Sequence, residues 1–108
     1  DRVLRNITGL IRCGIREGDV LLRYGGEEFL VILPGASKED AATIGERVRH
    51  MIKENNTEYG DQQISVTVSV GCDSLPESSI SGELDLVANA DEALYRAKNS
   101  GRDKCVVH

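Results

Sequence analysis

Arg23-Tyr24-Gly25-Gly26-Glu27-Glu28-Phe29 stands between two apolar runs, Val20-Leu21-Leu22 before it and Leu30-Val31-Ile32-Leu33 after it. Two strand-like runs joined through Gly-Gly predict a β-hairpin with this stretch at its tip, because glycine accepts the positive φ of a tight turn. Two carboxylates directly after the glycines are unusual for a plain turn. Bare backbone beside paired carboxylates suits a phosphate-plus-divalent-metal site: glycine lets a ligand come close, and the carboxylates supply hard oxygen donors.

Upstream of the hairpin, Val3, Leu4, Ile7, Leu10 and Ile11 recur at helical spacing, so the chain opens in an amphipathic helix that Gly14 and then Gly18-Asp19 close. Downstream, Pro34-Gly35 ends the second strand. Ser37 caps a second helix with Asp40 three positions on, and its apolar stripe is Ala41, Ile44, Val48, Met51 and Ile52. Asn55-Asn56 and Gly60 break that helix. Ile64, Val66, Val68 and Val70 alternate with Ser65, Thr67 and Ser69, the pattern of a half-buried strand. A Ser-rich loop with Pro76 spans 73–82. A third helix runs from about Glu83 to Ser100, with Val87, Ala90, Leu94 and Ala97 on one face and Gly101 as its C-terminal cap. Lys104-Cys105-Val106-Val107 reads as a short last strand. The order α-β-β-α-β-α-β belongs to an α+β domain with helices packed on an antiparallel sheet.

The chain has 108 residues, enough for one small domain with a single core. Its net charge of −5 argues against broad binding to nucleic acid or anionic membranes. No apolar run approaches the roughly 20 residues that cross a bilayer, so no direct membrane contact is expected. Cys13, Cys72 and Cys105 are odd in number, widely spaced and without a CxxC, which reads as reduced thiols in a cytosolic domain. His50 and His108 lack partners at ligand spacing and read as surface residues. Phe29, Val31 and Leu33 share a strand face and read as core.

The Gly25-Gly26-Glu27-Glu28-Phe29 run resembles the signature of the GGDEF-domain diguanylate cyclases, which join two GTP molecules into cyclic di-GMP. Two further stretches resemble the same family in the same order: Val66-Thr67-Val68-Ser69-Val70-Gly71, and Ala90-Asp91-Glu92-Ala93-Leu94-Tyr95-Arg96-Ala97-Lys98-Asn99-Ser100-Gly101-Arg102. The resemblance covers nearly the whole chain and implies the ferredoxin-like, nucleotide-cyclase palm. It implies that Glu27 binds Mg²⁺ (or Mn²⁺) and helps deprotonate the attacking 3′-hydroxyl, with Glu28 as a supporting ligand or structural acceptor. Gly25 and Gly26 leave room for the nucleotide. Lys98 and Arg102 match cations that hold the GTP phosphates, a task for which an arginine fork is apt. Asp1 aligns with an acid that accepts hydrogen bonds from the guanine edge. By the same resemblance, catalysis needs a homodimer, in the cytoplasm, of a parent that could be membrane-tethered.

Arg16-Glu17-Gly18-Asp19 fits the family's RxxD inhibitory motif, where Arg16 and Asp19 would bind the product cyclic di-GMP, and Arg47 matches a secondary arginine contact. Plainer readings stand beside these. Gly-Gly-Glu-Glu could be a hairpin turn with solvated charges, Arg16 and Asp19 a surface ion pair, Arg47 part of a solvated helix face, and Lys98 and Arg102 complements to a helix dipole. At the level of function the alternatives are a GGDEF-like module that binds GTP or cyclic di-GMP without turnover, and a dimerisation scaffold.

The family's domain begins with a strand and loop resembling DxDxFKxxND, and this sequence starts at Asp1, at the tail of that segment. Residues 1–108 are therefore expected to be one partial domain without its first strand, with unpaired edges and open apolar surface. Missing too would be an Asp that shares the metal with Glu27. These residues alone are expected neither to cyclise GTP nor to hold Mg²⁺ well.

Overall fold

The computed structural model describes residues 2–26, 28–75 and 82–108. Asp1, Glu27 and residues 76–81 of the expected Ser-rich loop lie outside the described residues. The elements run α1 (Arg2–Gly14), β1 (Val20–Arg23), β2 (Phe29–Ile32), α2 (Lys38–Glu54), β3 (Asn56–Tyr59), β4 (Gln62–Ser65), β5 (Val70–Cys72), α3 (Glu83–Asn99) and β6 (Cys105–Val107).

The first core is built where α1 and α2 meet the inner face of the β1–β2 hairpin. Ile11, Ile44, Val48 and Ile52 are its buried centre, and Ile7, Leu10, Ile15, Leu21, Phe29, Val31 and Leu33 close around it. Register explains the choice of face. Val20 pairs with Ile32 and Leu22 with Leu30, while Leu21 pairs with Val31 and Arg23 with Phe29, so alternate pairs point to opposite sides. Leu21, Val31 and Phe29 turn inward. On the outer face Val20, Leu22 and Ile32 are exposed, so the hairpin carries open apolar surface. Gly14 lets α1 cross α2 closely, since a Cβ there would stand 2.6 Å from Val48 Cγ2. Helix α2 starts where its sequence says it should: Ser37 and Asp40 form a complete capping box.

The second unit is a β5–β6 pair joined by the crossover helix α3. This pair is parallel, Val70 facing Cys105 and Cys72 facing Val107, whereas β1–β2 and β3–β4 are antiparallel. Parallel strands need both faces covered, and here α2 covers one face and α3 the other. On the α2 side, Gly45 leaves a groove that the Cys72 and Cys105 sulfurs fill, 3.3 and 3.1 Å from where its Cβ would be. The two Sγ atoms are 3.6 Å apart. They sit on diagonal positions of neighbouring strands, and both are free thiols. Cys72 is buried, and the hydrogen bond with Cys105, together with burial, pushes its thiol up. Cys13 is exposed.

On the α3 side the approach is closer still. A Cβ on Gly71 would stand 2.2 Å from the Leu94 nitrogen and 2.3 Å from the Ala90 carbonyl oxygen, with Ala93 and Ala97 fully buried beside it. Only glycine on the strand lets the helix backbone come so close.

Two expectations from sequence need adjusting. The alternating segment from Ile64 does not form one strand: its ladder to β3 ends at Ser65 and pairing resumes at Val70 with β6. Val66 and Val68 still pack on the first core, so the alternation reports burial correctly. The β3–β4 hairpin, turning at Gly60 with φ 63°, was hidden because Asn56-Thr57-Glu58-Tyr59 lacks apolar alternation.

Substituting Gly71→Ala forces backbone against backbone and is expected to destabilise the fold by about 3 kcal/mol or more. Gly26→Ala, with nothing within 4 Å of the added carbon, should leave stability nearly unchanged. Urea or thermal unfolding of the two variants checks the contrast.

Candidate active site

The Gly-Gly turn is a five-residue loop from Tyr24 to Glu28, closed by backbone bonds from Tyr24 N (2.9 Å) and Gly25 N (3.3 Å) to the Glu28 carbonyl. Neither glycine has positive φ; among glycines that property belongs to Gly18, Gly35, Gly60 and Gly101. Of the two reasons expected for Gly-Gly, the conformational one falls and the steric one remains. A Cβ on Gly25 would face Glu28 Oε2 at 3.9 Å, and one on Gly26 would meet nothing within 4 Å. The glycines keep the space beside the Glu28 carboxylate open. Sequence reasoning missed Arg23, whose guanidinium donates from Nε to the Gly25 carbonyl at 3.3 Å and from Nη2 to the Gly26 carbonyl. An arginine directly before bare Gly-Gly carbonyls is the signal that could have revealed it.

Helix α3 delivers Lys98 to this turn. Its Nζ lies 3.4 Å from Glu28 Oε1, with both side chains 38% exposed. A pair so exposed adds at most about 1 kcal/mol to stability. Its importance is positional: it joins residues 70 apart in sequence and puts a cation and a carboxylate in one place. Arg102 follows in the turn after α3. Gly101 takes φ 114° at the position after the cap and Arg102 N donates to the Ala97 carbonyl at 2.9 Å, closing a Schellman turn. The Arg102 side chain is exposed, with no hydrogen-bond or ion-pair partner among the described residues. Arg102 and Asp103 are both left-handed, φ 60° and 45°. Such backbone costs on the order of 1–2 kcal/mol per residue. Asp103 is held in return by Arg49 Nη1 at 2.6 Å and Lys53 Nζ at 2.8 Å, both from α2.

The donor chemistry of this turn fits a hard divalent cation. Magnesium takes one or two protein carboxylates and completes its octahedron with waters and phosphate oxygens. Glu28 supplies one carboxylate beside open space. Among the described residues no group of three His, Cys, Asp or Glu side chains could form a protein-only cage. Glu27 and Asp1, assigned from the motif, lie outside the described residues.

The second candidate site lies on the loop between α1 and β1. Arg16 Nε and Nη2 each reach an Asp19 carboxylate oxygen at 3.3 Å, the Arg16 backbone N donates to Asp19 Oδ2 at 2.7 Å, and Arg16 Nη2 reaches the Pro34 carbonyl at 3.2 Å. Burial pushes the Asp19 carboxyl up, but the Arg16 bonds outweigh it and hold it below the ordinary range. Arg47, from α2, grips the Gly14 carbonyl through Nε and Nη2, two residues before Arg16. Arg47 is exposed on its helix face and, through this carbonyl, caps the end of α1.

Comparison with known proteins identifies the family. Residues 1–104 match the family model described as diguanylate cyclase, GGDEF domain. The chain is 36% identical to diguanylate cyclase A of Treponema denticola over 96% of its own length and 28% of that protein's. It is 39% identical to diguanylate cyclase DgcP of Pseudomonas aeruginosa over 99% of its length and 16% of that protein's. Among solved structures it is similar to diguanylate cyclase SiaD of Pseudomonas aeruginosa, in complex with its activator SiaC: TM-score 0.89, 40% identity, 99% of this chain and 40% of that one. The GGDEF domain of DgcB from Caulobacter crescentus, in complex with c-di-GMP, superposes with a TM-score of 0.87 at 26% identity, over 97% of this chain and 62% of that one. The chain belongs to the GGDEF domain family, whose activity is cyclic di-GMP synthesis. It spans less than a third of the length of either of these two cyclases.

Lys53 and then Arg49 hold the Asp103 carboxyl below its ordinary value of 3.8. Because the folded value is the lower one, this anchor contributes its full stability above pH 3.8 and loses it as pH falls through the depressed folded value. Carboxyl titration by NMR should place the Asp103 midpoint below its ordinary value of 3.8.

Proposed function

We propose that this chain is the catalytic output domain, itself one partial GGDEF domain, of a diguanylate cyclase that condenses two GTP into cyclic di-GMP and pyrophosphate. The observation that carries the reading is the Glu28–Lys98 contact, which brings the end of α3 to the Gly-Gly turn. A triphosphate needs that combination: open backbone, carboxylates for its metal, and cations for its oxygens.

In this reading Gly25 and Gly26 admit the phosphates, and Lys98 and Arg102 hold them, the arginine through two donors at once. Glu27, with Glu28 beside it, carries Mg²⁺ or Mn²⁺, which when bound neutralises charge on the transferring phosphoryl group. Glu27 also takes the proton of the 3′-hydroxyl. That oxygen then bonds to the α-phosphorus of the second GTP, the α–β P–O bond breaks, and pyrophosphate leaves with the electron pair. A second such step closes the ring. Asp1 accepts from the guanine edge. Two nucleotides must meet face to face, so a homodimer serves as an orientation device. Among the described residues no helix is long and apolar enough to cross a membrane, and GTP supply favours the cytoplasm.

Product inhibition is proposed at Arg16, Asp19 and Arg47. A guanine offers O6 and N7 to an arginine and its N–H groups to a carboxylate. Binding would exchange the internal Arg16–Asp19 pairing for contacts to the ligand.

Three outcomes are expected. The full-length protein with GTP and Mg²⁺ yields cyclic di-GMP by chromatography, and Glu27→Gln lowers the rate at least about 100-fold. GTP binding with no product from wild type would instead mark a sensor module. Residues 1–108 alone produce none. Arg16→Ala abolishes cyclic di-GMP binding by calorimetry and relieves inhibition; unchanged binding would remove the RxxD assignment.

A further inference from the structure

Arg102 has no side-chain partner among the described residues, so its direction is set by the backbone that holds it. That backbone is unusual. Gly101, Arg102 and Asp103 take φ of 114°, 60° and 45° in succession, and only the first is glycine. The turn is tied on three sides. Its helix end is fixed by Arg102 N to the Ala97 carbonyl at 2.9 Å, and its strand end by Val70 N to the Lys104 carbonyl at 2.9 Å. The middle is held by the Asp103 carboxylate, with Oδ1 on Arg49 and Oδ2 on Lys53. Arg49 is itself steadied by Glu46 on the same helix.

We propose that Asp103 is a positioning residue: clamped by Arg49 and Lys53 of α2, it locks the left-handed turn that presents Arg102 to a bound phosphate. The inference rests on the reading of Arg102 as a phosphate ligand. A left-handed pair of non-glycine residues relaxes unless the surrounding structure over-determines it. Here the backbone bonds fix the ends, the Lys104 ammonium spans the turn to the Ser100 carbonyl, and the Asp103 clamp ties the residue next to Arg102 to α2. Released from α2, the turn would sample right-handed backbone, and the guanidinium would lose its fixed direction while staying charged and exposed. The clamp also couples the phosphate site to α2, the helix that carries Arg47.

Asp103→Asn separates the anchor from the backbone, because asparagine tolerates left-handed φ as aspartate does but cannot pair with two cations. The probe is 3′-deoxy-GTP with Mg²⁺, which lacks the attacking hydroxyl, titrated into the full-length protein by calorimetry. Arg102→Ala is expected to weaken binding on the order of tenfold, the loss of a charge-assisted phosphate contact. Asp103→Asn should weaken it by about 3- to 5-fold. The double variant should bind no worse than Arg102→Ala alone, since the anchor acts through that side chain. Additive losses, or an Asp103→Asn protein that binds like wild type while Arg102→Ala does not, overturn the inference and leave the nucleotide reading standing. An Arg102→Ala protein as tight as wild type, or a wild type that does not bind, overturns the phosphate reading and the inference with it.

Discussion

The contact between Gly71 and α3 is the constraint on which the rest depends. A strand and a helix can approach until the helix backbone touches the strand only when neither carries bulk at the contact. Gly71 on β5 meets that condition, and what it faces on α3 is backbone at Ala90 and Leu94. Once α3 is seated there, its far end is placed within reach of the β1–β2 turn, and Lys98 meets Glu28. The site is thus a consequence of helix–strand packing at a distance from it. The ion pair itself is too exposed to hold the helix in place.

Helix α2 plays the complementary part. One side closes the core under α1 and the hairpin, the other covers β5 and β6, and its polar residues reach both candidate sites. Arg47 caps α1 next to the Arg16–Asp19 pair, and Arg49 and Lys53 hold Asp103 beside Arg102. A rearrangement at the Arg16 loop and one at the phosphate turn would therefore act on the same helix. A shared element biased by both sites is the physical requirement for coupling between them.

Much of this was legible from residue pattern. The capping box at Ser37–Asp40, the stripe from Ala41 to Ile52, the inward set Phe29, Val31 and Leu33, and Gly101 as a left-handed cap all follow from local rules and all appear. Where the reading failed, non-local pairing decided. Residues 66–69 alternate like a strand but find no ladder partner among the described residues, and 56–59 form a strand without looking like one because β4 pairs with them. The glycines of the turn were expected for positive φ and for open space, and only the second holds. Asp103 went unnoticed because an ordinary charge has no signature until the fold shows what it faces, whereas Arg23 carried a local signal in its place directly before Gly-Gly.

Sequence alone settled the family motif, the helices, the inner face of the hairpin and the residue types available for phosphate and metal. Those depend on neighbours a few positions apart, where propensity, capping and periodicity operate. Tertiary structure decided which of those residues meet: Lys98 with Glu28 across 70 positions, Asp103 with α2, and a parallel β5–β6 pair between two helices. Close packing at Gly71 fixes that assembly, and the distance over which it acts is invisible to any local rule.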